Sequence, residues 1–165
     1  MTTITDILPA GAWSGAPADR VTLDYDGRHR RRIMLTGASG AEYLLDLSEA
    51  THLKDGDGLQ LPGGGVVAVV AQPEPLLEVT AHTPAELIRL AWHIGNRHLA
   101  AQVFADRILI RRDHVIAHML EHQGAHVREV VAPFDPEGGA YHDHGHDHDA
   151  HSHEGRGHEG DGHAH

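Results

Sequence analysis

The sequence predicts an α+β protein in three parts: a small all-β domain over residues 1–74, a ferredoxin-like βαββαβ domain over 75–140, and a histidine-rich tail over 141–165. Three observations predict it. Before Pro73-Glu74-Pro75 the apolar residues alternate, or run in short stretches between Gly-rich turns. After that break two helical periods appear, each with a start and a stop signal. After Phe134 there is no Val, Ile, Leu, Met, Phe or Trp.

In the first part, Val21 to Tyr25 alternates apolar and polar residues and reads as a strand. Arg32 to Thr36 is a second strand, closed by the turn Gly37-Ala38-Ser39-Gly40, and Glu42 to Leu47 a third. Lys54-Asp55-Gly56-Asp57-Gly58 is another turn, and Val66 to Ala71 a buried strand. Short strands separated by Gly-rich turns suggest a small sandwich or barrel-like domain.

Past the break, Leu77 to Thr80 is a short strand. Thr83-Pro84-Ala85-Glu86 is a capping box with proline at the first helical position, so the Thr83 hydroxyl and the Glu86 carboxylate each accept from the other's backbone. The helix that follows should put Leu87, Ile88, Ala91 and Ile94 on one face, with Gly95 as its stop. Leu99 to Phe104 and Arg107 to Arg111 read as a hairpin about Ala105-Asp106. Asp113 is placed to cap a second helix, with Val115, Ile116, Met119 and Leu120 inward and Gly124 as its stop. His126 to Val131 is a final strand. The order β-α-β-β-α-β is the ferredoxin-like arrangement.

Composition narrows the chemistry. With 40% hydrophobic but only 4% aromatic residues, the core must be aliphatic. A net charge of −11 argues against nucleic acid or an anionic membrane as partner, since both need a basic face. No stretch is apolar and long enough to span a bilayer, and Met1 to Asp6 carries no secretory pattern, so a cytoplasmic location is expected. The absence of cysteine removes disulfides, thiol catalysis and soft sulfur ligands for Cu(I). The 18 histidines instead favour a borderline divalent metal, because imidazole suits Ni, Zn and Cu(II).

Nine of those 18 lie in the last 24 residues, at His142, His144, His146, His148, His151, His153, His158, His163 and His165, interleaved with six carboxylates. Nothing apolar is left there to offset ordering entropy, so the metal-free tail should be disordered. Metal competes with protons for imidazole, so the tail should lose affinity below roughly pH 6.5. Elsewhere, His93 should sit on the last turn of the first helix and His98 just past its stop. One such histidine is a poor site, but a symmetric dimer would bring two copies of His98 together. His114, His118 and His122 are four apart on the second helix; a solvated polar face is the plainer reading of the last two. Arg28-His29-Arg30-Arg31-Arg32 reads as a solvated turn and strand edge, with docking of an acidic partner the lesser reading. No His-Glu-x-x-His pattern, nucleophile elbow or phosphate loop is present, so no catalytic or cofactor-binding residue is assigned and an enzyme is not expected.

Gly95-Asn96-Arg97-His98, with a histidine five residues earlier and a histidine-rich terminus, resembles the UreE family of urease accessory proteins. Leu53 to Asp57, the Val66 to Ala71 strand followed by Glu74, and Phe134 to Tyr141 extend the similarity over roughly residues 20–165. The resemblance implies a homodimer, with an N-terminal domain that engages partners and a ferredoxin-like domain that holds nickel. It implies that His98 is the central ligand, shared by both subunits, and that His93 is a nearby secondary position. His114 matches one of two auxiliary metal histidines; the other position carries Arg112 here. The implied role is delivery of Ni(II) for assembly of the urease active site, with the urease apoprotein complex and a GTPase accessory protein as partners, and Zn(II) or Cu(II) able to occupy the same sites. A divalent-metal buffer, using the tail but not His98 or a partner, is the alternative.

Overall fold

A computed structural model describes residues 1–138; the nine tail histidines lie outside the described residues. The N-terminal region is all β. One sheet holds β1 (Thr2–Ile4), β4 (His29–Thr36) and β5 (Glu42–His52), in the order β1-β5-β4. The other holds β2 (Ile7–Leu8), β3 (Asp19–Leu23), β6 (Gly58–Gln60) and β7 (Val66–Ala71), in the order β2-β6-β7-β3. Inward residues of both sheets form one buried cluster, with Ile4, Leu35, Leu45 and Leu47 from the first and Val21, Leu59, Val67 and Val69 from the second. The cluster is aliphatic apart from Tyr43, as the composition requires.

The Tyr43 hydroxyl donates to Asp19 Oδ2 at 2.9 Å, and the Ser39 hydroxyl donates to the same oxygen at 2.5 Å. The Ser39 bond, reinforced by the Arg20 N–H on Oδ1, lowers the Asp19 pKa to about 2. A Cβ on Gly37 would lie 2.0 Å from this carboxylate, so the turn between β4 and β5 needs glycine there.

The second region is built from β8 (Pro73–Thr80), α1 (Pro84–Asn96), β9 (Ala101–Val103), β10 (Ile108–Arg111), α2 (His114–His122) and β11 (His126–Pro133). Its sheet runs β11-β8-β10-β9 with every neighbouring pair antiparallel, the ferredoxin-like topology expected. Leu87, Leu90 and Ile94 of α1 and Leu120 of α2 pack on Leu77, Val79, Ile108 and Ile110 of the sheet. On the sheet's other face Leu76 and Leu109 are covered by Phe134, with Tyr25 packed alongside.

Several expectations change. The break at Pro73-Glu74-Pro75 is not a separate linker: these residues open β8, the first strand of the second region, one residue after β7 ends. β10 pairs with β8 only from Leu76 to Val79, so the prolines interrupt no ladder on that side. β1, β2 and β6 are additional strands, two or three residues long and too short to carry a periodic signature. Ile88 is 70% exposed and Val115 64% exposed, so neither faces the core; Leu90 takes the inward position in α1. Gly95 lies inside α1, which runs on to Asn96.

The basic run is also read differently. Arg28 is fully buried, while the residues from His29 to Arg32 are exposed. Its guanidinium donates to the carbonyls of Leu53, at 3.3 Å, and Phe134, and stands 3.9 Å from Asp135. The solvated strand edge holds for His29 to Arg32 but not for Arg28, because one of the two carbonyls that hold its side chain comes from the far end of the second region.

Candidate metal centre

α1 starts as its capping box predicts. The Thr83 hydroxyl accepts from Glu86 N–H and the Glu86 carboxylate from Thr83 N–H, both at 3.2 Å. Its other end carries the Gly95-Asn96-Arg97-His98 motif. Past Arg97, His98 N–H donates to Gly95 C=O at 3.0 Å, and Leu99 N–H reaches back to Ile94 C=O at 3.5 Å. This double bond pattern is a Schellman cap, completed by Leu99 packing into the cluster that contains Ile94. The residue at its left-handed position is normally glycine; here it is His98, with φ 56°. Among the described residues it is the one non-glycine with positive φ. A left-handed L-residue costs about 1–2 kcal/mol, and a conformation held at such a cost is a pointer to function. The cap throws the His98 imidazole clear of the helix, and the residue is exposed.

His93 lies one turn earlier, half-buried, with its ring edge-on to Trp92 at 5.2 Å. Trp92 is 63% exposed and lies four residues from Ile88, so α1 presents an outward apolar stripe leading toward His98. His114 is the first residue of α2, beside the Asp113 side chain that caps Val115 and Ile116 N–H. Arg112, at the other auxiliary position, is paired with Glu129 at 3.0 Å. His118 and His122 are exposed, as a solvated face would have them. Among the described residues no three His, Asp or Glu side chains are gathered for one metal, so His93, His98 and His114 do not meet within one chain.

Two groupings escaped sequence reasoning. Between the two regions, Tyr25, His29, His52, Lys54 and Asp135 line a hollow of about 350 Å³. Burial, followed by the Arg28 charge, lowers the His52 pKa below the ordinary histidine value, with Asp135 3.6 Å away acting the other way. On the ferredoxin-like region, His82 and His126 bring their Nε2 atoms within 3.2 Å of each other. A histidine just past β8 and one at the start of β11 give no local signal; only the sheet register joins them.

What the fold and these side chains define is a two-part α+β protein whose candidate histidines His98 and His114 stand on the surface rather than in an enclosed cleft. Comparison with known proteins places it further. Residues 4–72 match the family model described as UreE urease accessory protein, N-terminal domain, and residues 74–165 match that of its C-terminal domain. The urease accessory protein UreE of Bradyrhizobium sp. (strain ORS 278) is 54% identical over 144 residues, covering 87% of this chain and 69% of the relative. That of Ruegeria sp. (strain TM1040) is 58% identical over 134 residues, covering 81% and 73%. That of Rhodobacter capsulatus is 49% identical over 146 residues, covering 84% and 90%. The chain belongs to the UreE family of urease accessory proteins.

Proposed function

We propose that this urease accessory protein is a nickel metallochaperone that takes up Ni(II) as cargo and delivers it for assembly of the urease active site, without catalysis of its own. The observation that carries the reading is His98: an exposed imidazole in the Gly95-Asn96-Arg97-His98 motif, held at a left-handed position where glycine would be easier. In this reading two copies of His98 meet across a homodimer axis. The exposed stripe of Ile88 and Trp92 supports that pairing, since an apolar face beside the ligand is what a second copy would cover. His93 is a secondary ligand near the same axis.

A two-histidine site at a subunit boundary suits a carrier. It leaves coordination positions open, so a partner can displace the protein ligands one at a time. Copper binds imidazole more strongly than nickel does, so selectivity would come from availability and handover, with Zn(II) and Cu(II) competing for the same ligands. His142, His144, His146, His148, His151, His153, His158, His163 and His165 would act as a reservoir that raises local nickel concentration. His114 is a weaker member of the set, because Arg112 is engaged with Glu129 where a second auxiliary histidine would stand. We further propose that residues 1–74 dock the partners, the urease apoprotein complex and its GTPase accessory protein. Residues 75–140 would hold the metal, and the compartment would be the cytoplasm. Among the described residues no helix is long and apolar enough to cross a membrane.

The test is a calorimetric Ni(II) titration of the full chain, of a variant with the nine tail histidines changed to alanine, and of that variant with His98→Ala. One tight equivalent per two chains that survives the first change and vanishes with the second supports the shared site. If tight binding is lost with the tail alone, the protein is a divalent-metal buffer. Failure of His98→Ala to impair urease activation, with the tail intact, would overturn the delivery role.

A further inference from the structure

We propose that His82 and His126 form a second metal site, a bidentate imidazole pair for a borderline divalent cation such as Zn(II), Ni(II) or Cu(II), separate from His98. The argument begins with the bite distance. At metal–nitrogen distances of about 2.0–2.1 Å, two imidazole nitrogens on one ion lie about 2.9 Å apart at a right angle and about 3.4 Å apart at the tetrahedral angle. The Nε2 atoms of His82 and His126 are 3.2 Å apart, inside that window, with the rings crossed at 80°. Both side chains are exposed, so an ion can reach them without any part of the core opening.

The spacing is held by the backbone. β8 and β11 pair antiparallel with His126 opposite Thr80, so His82, two residues further on, is its diagonal neighbour across the sheet end. Each is fixed from outside the strand as well. His82 precedes the Thr83 capping box, and His126 follows the Gly124 turn at the end of α2. The backbone positions therefore depend on two helix caps and a sheet register, which leaves the two side-chain rotamers to be ordered when a metal arrives.

The surroundings suit a cation. His82 lines a hollow of about 400 Å³ shared with Glu86, Arg89 and His93. Glu86 brings negative charge and carries an oxygen donor beyond the one its cap uses; Arg89 offsets that charge, which favours a site filled by neutral imidazoles and water. Binding requires both Nε2 lone pairs, so both rings must carry their proton on Nδ1. The present contact, with one Nε2–H between the rings, is then replaced by the metal. The site does not depend on the nickel-delivery reading, since it uses neither His98 nor the tail.

The test uses the full-length chain with the nine tail histidines and His98 all changed to alanine, titrated with Zn(II) at neutral pH. Calorimetry and imidazole nitrogen NMR are read together. One equivalent per chain, with the Nε2 resonances of His82 and His126 shifting together, is the expected result. Loss of that equivalent in both His82→Asn and His126→Asn, each with an unchanged amide spectrum, would complete it. No bound equivalent, or an equivalent that leaves these two resonances in place or survives both substitutions, would overturn the site. Because His98 is already absent, neither result bears on the shared nickel ligand.

Discussion

The two helices of the ferredoxin-like region end in the same turn with different residues in it. In α1, His98 N–H bonds Gly95 C=O and Leu99 N–H bonds Ile94 C=O; in α2, Gly124 N–H bonds Glu121 C=O and Ala125 N–H bonds Leu120 C=O. The left-handed position is Gly124 at φ 89° in one and His98 at φ 56° in the other. The fold needs the turn twice, and α2 shows the residue that folding alone selects. The histidine in α1 is a departure from that choice, one that folding alone does not explain and that the proposed ligand role would.

Breaking the anchors beneath the turns should have the largest effect. Ile94 and Leu120 are fully buried and stand at equivalent positions of the two caps. Ile94→Ala and Leu120→Ala should each cost about 2–5 kcal/mol in denaturant unfolding, with similar values for the two helices. A cost confined to one helix would break the equivalence. Next, Gly124→Ala forces a Cβ into a left-handed residue and should destabilise the chain by about 1–2 kcal/mol. The opposite exchange, His98→Gly, should stabilise it by about 1 kcal/mol while removing the nickel equivalent assigned to His98. Stabilisation without metal loss would show that the strain serves something else.

The smallest effect sharpens a contrast with the N-terminal region, where a histidine is partly withdrawn from water rather than displayed. His52 has a folded-state pKa below its ordinary value of 6.5, so folding favours its neutral form. Its contribution is intact above that value and is lost as pH falls from it toward the lowered one. Melting temperatures from pH 7.5 to 5 should therefore decline less steeply in His52→Gln than in the parent chain. Asp19 responds in a more acidic window, its stabilisation being lost only as pH falls from the ordinary carboxylate range toward about 2.

The parts of this molecule legible from sequence were those written locally. Thr83-Pro84-Ala85-Glu86, Asp113, Gly124 and the Val66–Ala71 strand each specify their own geometry within a few residues, and the structure has them as read. The family was legible too, from Gly95 to His98 together with the segments around it. Where reading failed, the deciding partner was distant. Ile88 fits the same helical stripe as Leu87 and Ile94, and periodicity alone cannot say that the stripe's edge is left uncovered. Glycine usually fills the left-handed position, which points to Gly95 as the stop, but the chain puts a histidine there three residues later. The His82–His126 pair joins residues 44 apart, and Arg28 finds its carbonyl 106 residues away.

Arg28 has a consequence for how the chain unfolds. Its guanidinium is held by one carbonyl from each region, Leu53 in the first and Phe134 in the second. Neither region alone can satisfy it, and a buried charge that loses half of its partners is costly to retain. Opening either region should therefore release the other, and heating should produce one cooperative transition in calorimetry rather than two. The sequential parts of this chain would then share a single melting event, with one arginine as the coupling between them.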